Sequence, residues 1–159
     1  MNADGDVLST VKVSQSPEEV VTALTEIFGA DPEKSSTAPY RYYDWEGFRL
    51  STRAITMDGD PTELHPGIGF ATTTKSAYGV DITTVHGISV GDSATTIDAD
   101  YPKAAVVLCD CDEKTFKFDE VAIDTSDAGY AQQQYVVVTA ESPTGKVTSI
   151  GAPANNYDA

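Results

Sequence analysis

Histidine and cysteine are both scarce. His65 and His86 are the only imidazoles, and Cys109 and Cys111 the only thiols, in 159 residues. A closed zinc site gathers about four such ligands, and no histidine lies near the cysteine pair, so neither a metal nor a cofactor is expected. The cysteines stand two apart in "VVLCDCDE", a run that reads as a strand, so they share a face. Their Cα atoms would lie about 6.5–7 Å apart, the upper limit for a disulfide. Two small buried thiols and a strained bridge both fit that spacing. Long apolar runs are missing too. Nothing approaches the roughly 20 residues of a membrane-spanning helix, and "MNADGDVLST" has neither the basic start nor the apolar centre of a signal peptide. Cations are few, with 10 Lys and Arg against 25 Asp and Glu, a net charge of −15. Such a surface repels phosphate backbones and anionic lipid, which disfavours nucleic-acid and membrane-surface partners. A nucleic-acid mimic would need its charges on one face, and the sequence spreads them.

What is present suits a soluble globular fold, with 40% hydrophobic and 22% charged residues in a chain the size of one domain or two small repeats. After a polar lead-in over 1–10, "SPEEVVTALTEIFGADP" predicts a helix. Ser16 caps it, Pro17 fits its first turn, Glu19 completes a capping box and Gly29 stops it. Val20, Val21, Leu24, Ile27 and Phe28 recur at helical spacing. Residues 30–40 read as a loop, and "YRYYDWEGFRLSTRAI" as a strand kinked at Gly47. "GIGFATTTKS" and "GVDITTV" read as two strands joined by a tight turn at Ala77-Tyr78-Gly79.

The second half opens with "HGISVGDSATTIDADYP". Ile88 and Val90 end an extended piece, with Ser89 facing outward between them. Asp92 or Ser93 then caps a short helix that turns Ala94, Ile97 and Tyr101 inward. "KAAVVLCDC" predicts a buried strand. "TFKFDEVAI" alternates, placing Phe116, Phe118 and either Val121 or Ile123 inside. "QQYVVVTAES", a turn at 143–145 and "KVTSIGAP" give a last hairpin, and 154–159 is expected to be a disordered tail. The order suggests a duplication: an α+β fold of two tandem α-β-β-β units, 11–88 and 89–153, with helices packed on antiparallel sheet in one compact domain. "YDWEGFRL" finds a counterpart in "FKFDEVAI", and "TTTKSAYGVDITTVHGI" in "VVTAESPTGKVTSIGAP".

One motif invites a catalytic reading. Gly87-Ile88-Ser89-Val90-Gly91 satisfies G-x-S-x-G, the nucleophile elbow of many esterases. In that fold the histidine follows the serine and the sheet is parallel. Here both histidines precede Ser89, and the pattern holds only two helices. Ser89 with His86 as a small serine hydrolase is therefore a secondary reading, and the glycines read as turn residues. "DCDEKTFKFDEV" begins like a calcium loop but carries Thr115 where glycine is needed and Val121 where glutamate is needed. "MDGDP" and "NADGD" are ordinary turn chemistry, and "TGKV" lacks the rest of a phosphate loop. The aromatic run "YRYYDWEGF" is the surface candidate, since Tyr and Trp bury large rigid area at partner interfaces. On two strand faces, Tyr43 and Trp45 would lie on one side and Tyr42 and Phe48 on the other. Packing against the helix at 17–28 is the simpler role for Trp45.

Tandem helix-plus-meander units with "GISVGDSATTIDADYP" leading into the second helix resemble the β-lactamase-inhibitor-protein-like domains of secreted bacterial proteins. "G-I-x-V-G-D-S" and "EIFGADP…YDWEGF" are also similar to uncharacterised actinobacterial cell-envelope lipoproteins. The resemblance implies an extracellular or cell-envelope location, a lipid anchor or signal peptide preceding Met1 in the natural protein, and a sheet face that binds a protein or other ligand. The inhibitor family carries disulfides within each repeat, whereas the two cysteines here sit on one strand, so no binding residue carries over. A cytosolic acidic interaction protein of the immunity or anti-defence kind, with Met1 as its start, is the third reading.

Overall fold

The computed structural model describes residues 16–37, 40–53, 67–106, 112–125 and 131–155. Helix α1 spans Pro17–Phe28 and forms as the sequence predicts. Ser16 Oγ accepts from Glu19 N–H at 3.3 Å, and Glu19 Oε2 accepts from Ser16 N–H at 3.2 Å. Gly29, at φ 65°, closes the helix by donating to the Thr25 carbonyl. Strand β1, Glu33–Thr37, lies where a loop was expected. All five of its residues are exposed, so "EKSST" carries no apolar alternation to announce a strand.

The expected kinked strand is instead a hairpin, β2 (Tyr40–Trp45) and β3 (Phe48–Arg53), whose last pair is Trp45 opposite Phe48. Glu46-Gly47 makes the turn, and Gly47 at φ 69° takes the left-handed conformation that such two-residue turns demand. Strand β4 covers Ile68–Thr72 and stops there. It is the first part of the expected strand 67–76, and the expected hairpin of that strand with 79–85 shrinks to a small separate one, β5 (Ser76–Ala77) with β6 (Val80–Asp81), around Tyr78 and Gly79 at positive φ. The chain leaves the sheet here because Thr72 turns its hydroxyl back on the Gly47 and Thr74 carbonyls, at 3.0 and 2.9 Å.

Helix α2 is Ala94–Asp100, with Ala94 and Ile97 buried. Ser93 is its N-cap residue but makes no side-chain cap bond. Strands β7 (Ala105–Val106), β8 (Lys114–Thr125), β9 (Ala131–Ala140) and β10 (Val147–Asn155) follow. The expected tail from 154 is corrected in part: β10 runs through Asn155, paired with Gln134. Phe116 and Phe118 are buried, but Val121 is 61% exposed. A register shift after Phe118, with Asp119 at φ 54°, breaks the alternation there. Cys109, Cys111 and His65 lie outside the described residues.

Eight strands form one antiparallel sheet in the order β1-β2-β3-β4-β10-β9-β8-β7. The fold is therefore mostly antiparallel sheet with two helices. Its two buried clusters divide along the chain. Val20, Leu24 and Phe28 share one with Trp45, Leu50, Ile68 and Ala77. Ala94 and Ile97 share the other with Ile88, Phe116, Phe118, Val138, Ala140, Val147 and Ile150. Registered pairs run from one cluster to the other as Phe48–Thr72–Ile150–Val138–Phe116, so these residues lie on one face of the sheet. No described helix is long and apolar enough to cross a membrane.

Candidate functional site

Ser89 is buried at 8% exposure and stands in a loop, which corrects its expected outward place on a strand. Its Oγ donates to the Ile82 carbonyl at 3.0 Å, and its N–H donates to Asp92 Oδ2 at 2.8 Å. Gly91, at φ 93°, donates to the Val147 carbonyl at 2.9 Å, and Val147 N–H returns to the Asp92 carbonyl at 2.9 Å. The "GISVG" run thus splices the chain onto β10 before α2 begins. His86 is engaged elsewhere. Its Nε2 lies 3.0 Å from Asp119 Oδ1, and its ring packs on Tyr101 and Phe118 at centroid distances of 5.5 and 5.1 Å. Among the described residues no hydrogen bond joins His86 to Ser89.

The aromatic run divides differently from expectation. Tyr43, Trp45, Phe48 and Leu50 share the apolar face, because the two-residue turn sets Phe48 opposite Trp45. Phe28 packs on Trp45 at 5.6 Å and on Phe48 at 5.4 Å, and Trp45 Nε1 donates to the Ala30 carbonyl at 2.9 Å. Trp45 is only 5% exposed, so it is core. Of the four residues Tyr42, Tyr43, Trp45 and Phe48, Tyr42 alone points to the opposite face.

That opposite face has a distinct build. Its centre is small: Ser51 on β3, Gly69 and Ala71 on β4, and Gly151 on β10, paired in register. Gly69 and Gly151 are close-fitted, since a Cβ there would come within 2.9 Å of Ser51 Oγ and 3.2 Å of Val137 Cγ1 respectively. A cation over an aromatic ring stands on each side of this floor. Arg49 lies 5.0 Å from the Tyr42 ring centroid, and Lys117 Nζ lies 4.2 Å from that of Tyr135. Arg49 also grips Asp44, with Nε donating to Oδ1 at 2.6 Å. That hydrogen bond, more than the charge attraction, raises the guanidinium pKa above its ordinary value. Tyr40 stacks on Tyr42 at 6.2 Å.

The sequence reading named Tyr42 but missed Arg49, Lys117 and Tyr135. The signal was there in alternation: Lys117 sits between inward Phe116 and Phe118, and Arg49 between Phe48 and Leu50. On the apolar side, a groove of about 470 Å³ opens between the two clusters, lined by Phe48, Phe70, Ile82, Val85, Val136 and Ile150, and bordered also by Ala71 and Asp119. The Thr83 and Thr84 hydroxyls beside it are spent on the 84–88 loop backbone. Among the described residues no group of three His, Cys, Asp or Glu side chains could hold a metal. The chain matches no protein-family model, no curated protein and no solved structure, so its functional reading rests on its own residues.

Proposed function

We propose that the chain is a non-catalytic, secreted or lipid-anchored envelope domain that binds a protein or other ligand through one face of its sheet. The observation that carries this reading is the opposite face: a floor of Ser51, Gly69, Ala71 and Gly151 flanked by the Arg49–Tyr42 and Lys117–Tyr135 pairs. Small floor residues let a partner approach the strands closely. Tyr42 and Arg49 supply rigid amphipathic anchors at low entropic cost, while Tyr135, 7% exposed, is the buried ring on which Lys117 rests. In this reading the chain is two tandem units, α1 with β1–β4 and α2 with β7–β10, meeting where β4 pairs β10. Each helix packs on its own half of the same sheet. Support comes from the strand order and from the division of the buried residues into two clusters, each holding one helix.

The test is retrieval of a partner from envelope extract or culture medium by the wild-type chain and by Ala71→Arg. Ala71 sits on the open face, so arginine there blocks the floor without touching either cluster. Loss of the partner by a folded Ala71→Arg variant is expected. A partner held equally by both chains contradicts the reading, as does an esterase activity that disappears in Ser89→Ala.

A further inference from the structure

The edge of the sheet at β1 carries a second, separate feature. Among the described residues strand β1 pairs only with β2, so alternate backbone N–H and C=O groups along Glu33–Thr37 face away from the sheet with no described strand beside them. A long open edge of this kind can accept an added strand. What sets this one apart is its charge. The segment 33–53 holds four cations (Lys34, Arg41, Arg49, Arg53) against three anions (Glu33, Asp44, Glu46), a local balance of +1 in a chain of net charge −15. Arg49 is committed to Asp44. Lys34 and Arg41 make no ion pair with any described residue.

These two side chains are placed together. Lys34 is registered opposite Tyr43 and Ser36 opposite Arg41, so Lys34, Ser36, Arg41 and Tyr43 share one face at the edge. A shallow cleft of about 250 Å³ joins Lys34, Ser35, Ser36, Arg41, Tyr42 and Tyr43. Lys34 stands on the edge strand itself. Arg41 stands one strand inside, and only the small Ser36 side chain separates its guanidinium from the open edge. A strand laid along β1 would meet one cation beside Lys34 and the other over Ser36. Those positions are two residues apart, about 6.5–7 Å along the strand. Carboxylates at alternate positions of an extended segment have the same spacing.

We propose that the β1 edge is a docking site for an extended acidic peptide segment of the pattern Glu-x-Glu, which adds as a ninth strand. Its backbone pairs with β1 and its two carboxylates meet Lys34 and Arg41. An edge lysine disfavours pairing between like strands, and two copies at −15 each repel far more strongly than the chain repels a segment carrying only two carboxylates. Both arguments favour a foreign acidic segment over a second copy. This site is separate from the open sheet face and does not depend on it.

The experiment measures binding of a fluorescently labelled peptide, acetyl-TVEVEVT-amide, to the full chain by anisotropy, with acetyl-TVKVKVT-amide as the control. Hydrogen exchange at the 33–37 amides is followed in parallel. The glutamate peptide is expected to bind, to weaken with added salt, and to slow exchange across β1. Lys34→Glu/Arg41→Glu should lower affinity at least about tenfold, while Ala71→Arg leaves it unchanged. No binding overturns the proposal. So does equal binding of the lysine peptide, indifference to the double charge reversal, or protection confined to strands other than β1. A dimer in sedimentation that the glutamate peptide fails to displace assigns the edge to a second copy and overturns it as well.

Discussion

Two glycines share nearly the same backbone conformation and nothing else. Gly29 lies at φ 65° with no atom within 4 Å of a Cβ built on it, whereas Gly47 lies at φ 69° with its Cβ direction filled by the Thr74 side chain. Alanine at either site adopts a left-handed conformation costing about 1–2 kcal/mol. At Gly29 that is the whole effect. At Gly47 the new methyl overlaps Thr74, and overpacking of this kind costs about 1–3 kcal/mol more. The Gly47 carbonyl also accepts from Thr72 Oγ1 at 3.0 Å and Thr73 N–H at 2.9 Å, so a shift of the turn loosens the end of β4. Gly47→Ala is therefore expected to cost about 3 kcal/mol and Gly29→Ala about 1 kcal/mol, a large difference against a typical stability of 5–15 kcal/mol. Urea unfolding measures both. Thr74→Ala in the Gly47→Ala background removes the overlapping Cγ2 and Oγ1 and should restore part of the loss. Equal costs at the two glycines, or no recovery in the double variant, would refute the steric reasoning.

Other expectations follow from burial and hydrogen bonding. Phe116 is fully buried, so Phe116→Ala should cost about 3–5 kcal/mol in chemical denaturation. Ser16→Ala removes one half of the capping box and should cost about 1 kcal/mol, read as a fall in urea midpoint with unchanged slope. Ser89→Ala deprives the Ile82 carbonyl of its donor and should cost about 1–2 kcal/mol while leaving partner retrieval intact. Loss of retrieval at unchanged stability would mean that Ser89 acts in function rather than architecture.

Local signals were legible where side chains both form and terminate an element. Ser16, Pro17, Glu19 and Gly29 mark both ends of α1, and Val20, Leu24 and Phe28 mark its buried face. The β2–β3 hairpin was hidden because its turn is only Glu46-Gly47, short enough to read as a kink, although it moves the inward positions from Tyr43 and Trp45 to Phe48 and Leu50, a change of phase that one strand would not show. The positive φ of Gly47 makes the same distinction in the backbone. Strand β1 was invisible because its five exposed residues pair through backbone alone. Ser89 was misplaced for the opposite reason. Its hydroxyl is satisfied by a carbonyl seven residues earlier, which lets a polar group sit buried. The candidate face was half legible, since alternation sets Lys117 and Arg49 outward. The meeting of β4 with β10, which builds its floor, is a long-range pairing that no local pattern encodes.

The most direct test of the sheet-face reading is site-specific photo-crosslinking in cells producing the chain, with a photoreactive amino acid at position 71 or at position 85. Ala71 borders the groove but is registered with Arg49 and Gly151, so its side chain lies on the floor face, whereas Val85, 88% exposed, lines the groove on the other side of the sheet. The account predicts a discrete protein or ligand adduct from position 71 and none from position 85. An adduct from position 85 alone would move the binding site to the groove and contradict the account.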